Sequence, residues 1–192
     1  MNKRNLTALS AAIGLGLGAS AMGAGISEAQ YKSAGQGIAA RHTNERAICE
    51  SMAGNSKDVC QAEANGRESV AKAELESSYS ESSKSLYEVR VAKANAAYAI
   101  ANEKCDDSAG NAQDVCRKEA QRVEVAAKAD AERALTAVDA NAAPNATTEA
   151  DQKAATEKRN AAYAVAKEKC DALAESAKAK CVQDAKVRHG QS

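Results

Sequence analysis

Apolar and small residues recur along this chain at alternating steps of three and four. One run is Val91, Ala94, Tyr98, Ala101 and Cys105, and a second is Tyr163, Ala166, Cys170 and Leu173. A third runs Cys116, Ala120, Val123, Ala127, Ala131, Ala134 and Val138. Such spacing keeps a narrow stripe on one side of a helix, as in coiled-coil-like seams. The positions between are filled by Ala, Glu, Lys, Gln and Arg, which are strong helix formers. Acid–base pairs four apart, such as Glu63/Arg67 and Glu124/Lys128, support solvated helix faces. Each stripe therefore predicts a long helix with an Ala-rich seam that lets a second backbone approach closely.

The stripes are interrupted at regular points. Gly54 and Gly110 suit left-handed residues that stop a helix, and Asn55 or Ser56, and Asn111, suit caps of the next one. Each Gly-Asn junction lies midway between two cysteines: Cys49 and Cys60, then Cys105 and Cys116. A third pair, Cys170 and Cys181, has the same gap but Glu175-Ser176 in place of Gly-Asn, so only Ser176 remains as a cap and no glycine stop is present. The surroundings repeat as well. CESMAGNSKDVC returns as CDDSAGNAQDVC, and NAAYAIANEKCD (Asn95–Asp106) returns as NAAYAVAKEKCD (Asn160–Asp171). A threefold internal repeat fixes the architecture before any single motif does.

Six cysteines allow 15 pairings, and the repeat favours the one that closes each pair within its own copy. On one uninterrupted helix, cysteines with this gap would stand about 16 Å apart. A disulfide needs Cα atoms within about 7 Å, so a bond inside each copy requires the chain to bend back. The fold class is accordingly all-α: three repeated helical hairpins with coiled-coil-like Ala-rich seams, each stapled by a disulfide, in an elongated molecule. The hairpins span residues 22–76, 87–138 and 149–192. Between them lie a Ser-rich linker, 77–86, which should interrupt the helix, and a second linker, 139–148, with the single proline, Pro144. Whether the three hairpins pack together is left open at this level.

Residues 1–21 read as a signal peptide. Lys3 and Arg4 precede a short apolar stretch, and Ala19-Ser20-Ala21 gives the small-residue cleavage pattern. The stretch falls short of the roughly 20 apolar residues of a membrane-spanning helix, so the mature chain is expected to start near Met22 without a membrane span. Export turns six cysteines into a disulfide set.

Composition narrows the function classes. Hydrophobic residues make up 44% of the chain, but alanine dominates them, and Trp and Phe are absent. Such an inventory argues against a conventional core, and small modules short of core usually depend on disulfides, metals or assembly. Charge is balanced, with 26 basic and 26 acidic residues and no basic block, which excludes nucleic acid as a partner. Asn145-Ala146-Thr147 matches a glycosylation sequon and is read as a chance match beside a bacterial-type leader.

The candidate chemistry is concentrated in Cys49, Cys60, Cys105, Cys116, Cys170 and Cys181. Redox chemistry would favour Cys-x-x-Cys, which does not occur. Zinc would want four close ligands, and the two histidines, His42 and His189, fall in different copies. His42 takes the place of Tyr98 and Tyr163, a seam position. No nucleophile elbow, phosphate loop or zinc-type His pair is present. The reading is structural disulfides, with no catalytic residue, no metal and no cofactor.

YAVAKEKCD, AGN followed by DVC, and the Ala-Lys helix beyond resemble a group of uncharacterised exported Ala/Lys/Glu-rich proteobacterial proteins with three Cys-x10-Cys repeats, often labelled TolA-like cell-envelope proteins. The resemblance covers nearly the whole chain and is most specific in the cysteine repeats. It implies a helical fold and the cell envelope as location, and brings no catalytic residues. TolA's membrane anchor has no counterpart after cleavage. Together these readings lead to a periplasmic, non-enzymatic structural or interaction protein that binds unknown protein partners of the envelope, with homo-oligomerisation through exposed seams left open. The alternative is a periplasmic stress protein acting as a holdase or a thiol-based metal buffer.

Overall fold

The computed structural model describes residues 25–139 and 144–191; the leader at 1–21, the mature start near Met22 and positions 140–143 of the second linker lie outside them. Among the described residues six helices follow one another: α1 (Glu28–Cys49), α2 (Asn55–Tyr79), α3 (Ser83–Lys104), α4 (Asn111–Asp139), α5 (Pro144–Cys170) and α6 (Glu175–Arg188). A single 3-10 turn, Cys105–Asp107, ends α3. The helices pair as the repeat predicts: α1 with α2, α3 with α4, and α5 with α6. All substantial helix–helix packing among the described residues is between consecutive helices, so the hairpins are joined in series by α2 on α3 and α4 on α5.

Serial packing explains which residues are buried. An inner helix has a neighbour on each side, so it needs two small-residue rows rather than one seam. Residues two apart on a helix point about 200° apart. In α2, Ala64 and Gly66 are both buried. Gly66 faces Ala96 of α3, while the neighbours of Ala64 in its row, Arg67 and Glu68, contact α1. In α4, Ala131 continues the Cys116–Ala120 row toward α3, and Ala129 belongs with the row of Val125 and Glu132 toward α5. The single stripe read along α4 is thus half of its packing. Val123 and Val138, placed in that stripe, are 52% and 59% exposed. Val123 lies about 60–80° around the helix from Ala120 and Ala131, on the stripe's outer edge. Val138 lies opposite the very start of α3.

The bends are built differently from the sequence reading. Gly54 and Gly110 do take positive φ, 59° and 58°. They stand just before the second helix of each hairpin rather than closing the first. α1 instead unwinds through tight turns, with Ser51 N donating to Ile48 O and Met52 N to Cys49 O. With ψ at −154°, Gly54 occupies a region open essentially to glycine alone. Asn55 is not the cap: α2 has no side-chain cap, and the Asn55 amide reaches another hairpin. In the third copy Ser176 does not cap either; Ala174 precedes α6 in ordinary extended geometry, φ −64° and ψ 154°. α6 starts one residue earlier relative to its cysteine than α2 does, and the shorter connection turns without a left-handed residue.

The serines between α2 and α3 do interrupt the helix, but over a shorter span than the 77–86 segment. α2 runs to Tyr79, and Ser82 and Ser85 form a reciprocal capping box that starts α3. α5 likewise begins at Pro144, inside the segment 139–148 read as linker. Proline suits a first helical position because that turn needs no amide donor.

Little bulk is enclosed. The largest fully buried side chains are Cys49, Cys105 and Cys170, each 0% exposed. The first half-cystine of each copy, at the bend end of its hairpin, is therefore the most enclosed bulky side chain there. At Gly66 the α2 and α3 backbones come so close that an added Cβ would lie 2.9 Å from the Ala96 Cβ. Gly66→Ala is expected to destabilise by about 1–3 kcal/mol despite its better helix propensity. Gly37→Ala, where a Cβ meets nothing within 4 Å, is expected to stabilise by about 0.5–1 kcal/mol; urea melts of both variants check the contrast.

Candidate functional site: the stapled bends and the grooves beside them

The six predicted site residues close three disulfides within their own copies. Cα separations are 5.5, 5.6 and 5.7 Å for Cys49–Cys60, Cys105–Cys116 and Cys170–Cys181. Because consecutive helices run in opposite directions, the three bends lie along one edge of the array. Side chains from one bend accordingly reach the next.

An acidic residue follows the first cysteine of each copy and clamps the bend. Glu50 accepts from Lys57 at 2.7 Å and Gln61 at 3.0 Å. Asp106 accepts from Gln113 at 2.9 Å and Arg117 at 2.6 Å. Asp171 pairs with Lys178 at 3.0 Å. Sequence reasoning missed this clamp, although its signal, Cys followed by Asp or Glu in all three copies, was in plain view.

A second repeated set joins neighbouring hairpins. Asn55 Nδ2 donates to Asp107 Oδ1 at 2.8 Å, and its repeat equivalent Asn111 Nδ2 donates to the Glu168 carbonyl at 2.9 Å. Lys104 meets Glu63 at 3.8 Å, and its equivalent Lys169 meets Glu119 at 2.8 Å. These residues turn three separate hairpins into one register.

Two grooves are also equivalent by repeat. One, of about 490 Å³ between α2 and α3, is floored by Ala62, Gly66 and Ser69 with Asn95 and Glu103 opposite. The other, about 260 Å³ between α4 and α5, carries Lys118, Arg122 and Val125 at the matching positions. The difference in size follows from those side chains. Neither groove brings a nucleophile against a base.

The histidines stay apart. His42 bridges to α2, with Nε2 2.9 Å from Asn65 Oδ1 and Nδ1 3.3 Å from Glu68. His189 lies beside Tyr163, ring centres 6.5 Å apart. Among the described residues no group of three or more His, Cys, Asp or Glu side chains is arranged to hold a metal ion. No helix among them is long and apolar enough to cross a membrane.

Ion pairing tunes several carboxyls. The hydrogen bond and charge of Lys57 hold Glu50 below its ordinary value. Lys72, and then the charge of His42, lower Glu68 against the opposing effect of burial. Lys169 and Arg122 lower Glu119. Glu132 raises Lys153.

No protein-family model, curated protein or solved structure matches this chain.

Two outcomes are expected from this geometry. Carboxyls lowered by folding contribute stability above the unfolded value near 4.5 and lose it as pH falls through their folded values. The melting temperature should therefore hold steady between about pH 7 and 5 and decline below, with a shallower decline in Glu119→Gln. Separately, Asn55→Ala and Asn111→Ala should each cost about 1 kcal/mol by removing a bond between hairpins. Ser176→Ala, at the same register but making no side-chain hydrogen bond among the described residues, should stay within about 0.5 kcal/mol in the same urea melts.

Proposed function

We propose that this chain is a non-enzymatic structural or interaction protein of the periplasm, a disulfide-rigidified helical spacer and docking surface in the cell envelope. The observation that carries the reading is the serial array itself: three stapled bends along one edge, locked in register by Asn55, Asn111 and Lys169. Its faces are laced with ion pairs such as Lys93–Glu74 and Lys158–Asp130 instead of converging on a reactive centre. Disulfides of this density belong to oxidising compartments. A surface ordered in advance loses less entropy when a partner docks, which is what stapling supplies. The long Ala-rich seams pack in coiled-coil fashion between such surfaces.

The holdase and thiol-buffer alternatives have less behind them. A holdase works through contiguous apolar surface, and the large apolar side chains exposed here are spread over the fold, with Ile48 on α1, Leu86 on α3 and Val187 on α6. A thiol buffer needs thiolates, and the six sulfurs are paired.

The test is expression of the full chain in a proteobacterial host with a photo-crosslinking residue at exposed Gln121 or Gln152. The expected result is an osmotic-shock fraction holding a mature chain that starts near Met22, and a discrete envelope-protein adduct that disappears in the Cys105→Ser/Cys116→Ser variant. A chain that keeps its leader and six free thiols, or that gives no adduct from either position, contradicts the reading.

A further inference from the structure

We propose that the third staple, Cys170–Cys181, is a reducible latch: a dithiol opens it ahead of the other two and frees α6 while α1–α5 stay folded. The inference rests on unequal packing of the two terminal helices. α1 is tied to α2 along its length. Tyr31 donates to Glu76 at 2.9 Å and its ring lies 4.6 Å from that of Tyr79. His42 reaches Asn65 and Glu68, Glu45 takes Arg67 at 3.1 Å, and Ile26 N donates to the Ser78 carbonyl.

α6 has no comparable set. It is 14 residues long against 27 in α5, and Ala185 is its one buried residue. Asp184, Lys186 and Arg188 make no ion pair with α5 among the described residues; the ties of α6 are Lys178 to Asp171 at 3.0 Å across the bend and, at the far end, Gln191 to Asn160 at 2.7 Å with His189 beside Tyr163. The bend after Cys170 and the start of α6, from Asp171 to Lys180, are exposed throughout. A helix of this length is marginal in water without packing. α6 is thus held chiefly by its disulfide, whereas α2 and α4 are also gripped from their far sides by α3 and α5.

The exchange has a direction. Cys170 is fully buried and Cys181 is partly exposed beside the open bend. The thiolate of a small dithiol or dithiol oxidoreductase attacks Cys181 Sγ, the Cys170–Cys181 bond breaks, and Cys170 leaves as a thiolate that takes a proton from water. The reductant's second thiol, as its thiolate, then displaces Cys181, which takes a proton in turn. The reductant ends as a disulfide, two electrons have passed, and both cysteines are thiols. Release of α6 uncovers the α5 side that carries Tyr163 and Ala166, changing one end of the proposed docking surface. The inference deepens that scaffold reading, but its test uses the isolated protein and no partner, so either can fail alone.

The native oxidised full chain is treated with dithiothreitol, quenched at intervals with N-ethylmaleimide, and read by peptide mapping and hydrogen exchange. The expected result is labelling of Cys170 and Cys181 at least about tenfold faster than the other four cysteines, with α6 amides unprotected and α1–α5 protected in the doubly labelled species. In Cys170→Ser/Cys181→Ser the same α6 exposure should appear without reductant. Labelling of another pair first, simultaneous opening of all three, or an α6 that stays protected once its bond is open overturns the proposal.

Discussion

A covalent link across the bend of each of the three hairpins carries this fold, because the helices have little else to bury. Alanine gives close approach but small transfer energy, whereas a buried Leu or Ile contributes roughly 1.5–3 kcal/mol. Closing a loop of about a dozen residues by a disulfide contributes on the order of 3 kcal/mol. Three such closures are comparable with the whole stability of a typical domain, about 5–15 kcal/mol. The packing agrees: the first half-cystine of each pair is the most enclosed bulky side chain of its hairpin.

The second constraint is how the stapled units join. The same asparagine and the same Lys–Glu pair link hairpin one to two and two to three. The first and third copies keep only part of this set, with Asp184 at the acidic position of Glu63 and Glu119. Ile48, 60% exposed, stands where Lys104 and Lys169 stand in the later copies, and Ser176 replaces the linking asparagine.

Much of this was legible in the residues. The repeat, the helical class, the three cysteine pairings and the bends follow from CESMAGNSKDVC, its copies and the length of an unbroken helix. What escaped was anything set by a neighbour in space. A single-stripe reading of α4 placed Val123 and Val138 inside, since periodicity alone does not say that α3 and α5 flank it on two sides. Asn55 and Asn111 looked like caps because their type and position suit one, yet their amides serve the adjacent hairpin. The left-handed glycines were legible, but their place just before the second helix depends on how α1 unwinds after Cys49. At the bends, the acid after each first cysteine was visible in every copy, and its meaning required knowing that Lys57, Gln113 or Lys178 would fold back onto it.

The most direct measurement compares the oxidised chain with the fully reduced, alkylated chain by far-UV circular dichroism and small-angle X-ray scattering under native buffer. If the staples carry the fold, the oxidised chain unfolds cooperatively at constant dimensions up to its transition, and the alkylated chain shows reduced helicity, a broad non-cooperative melt and a larger radius of gyration. An alkylated chain with the same helicity, melt and radius would contradict the account.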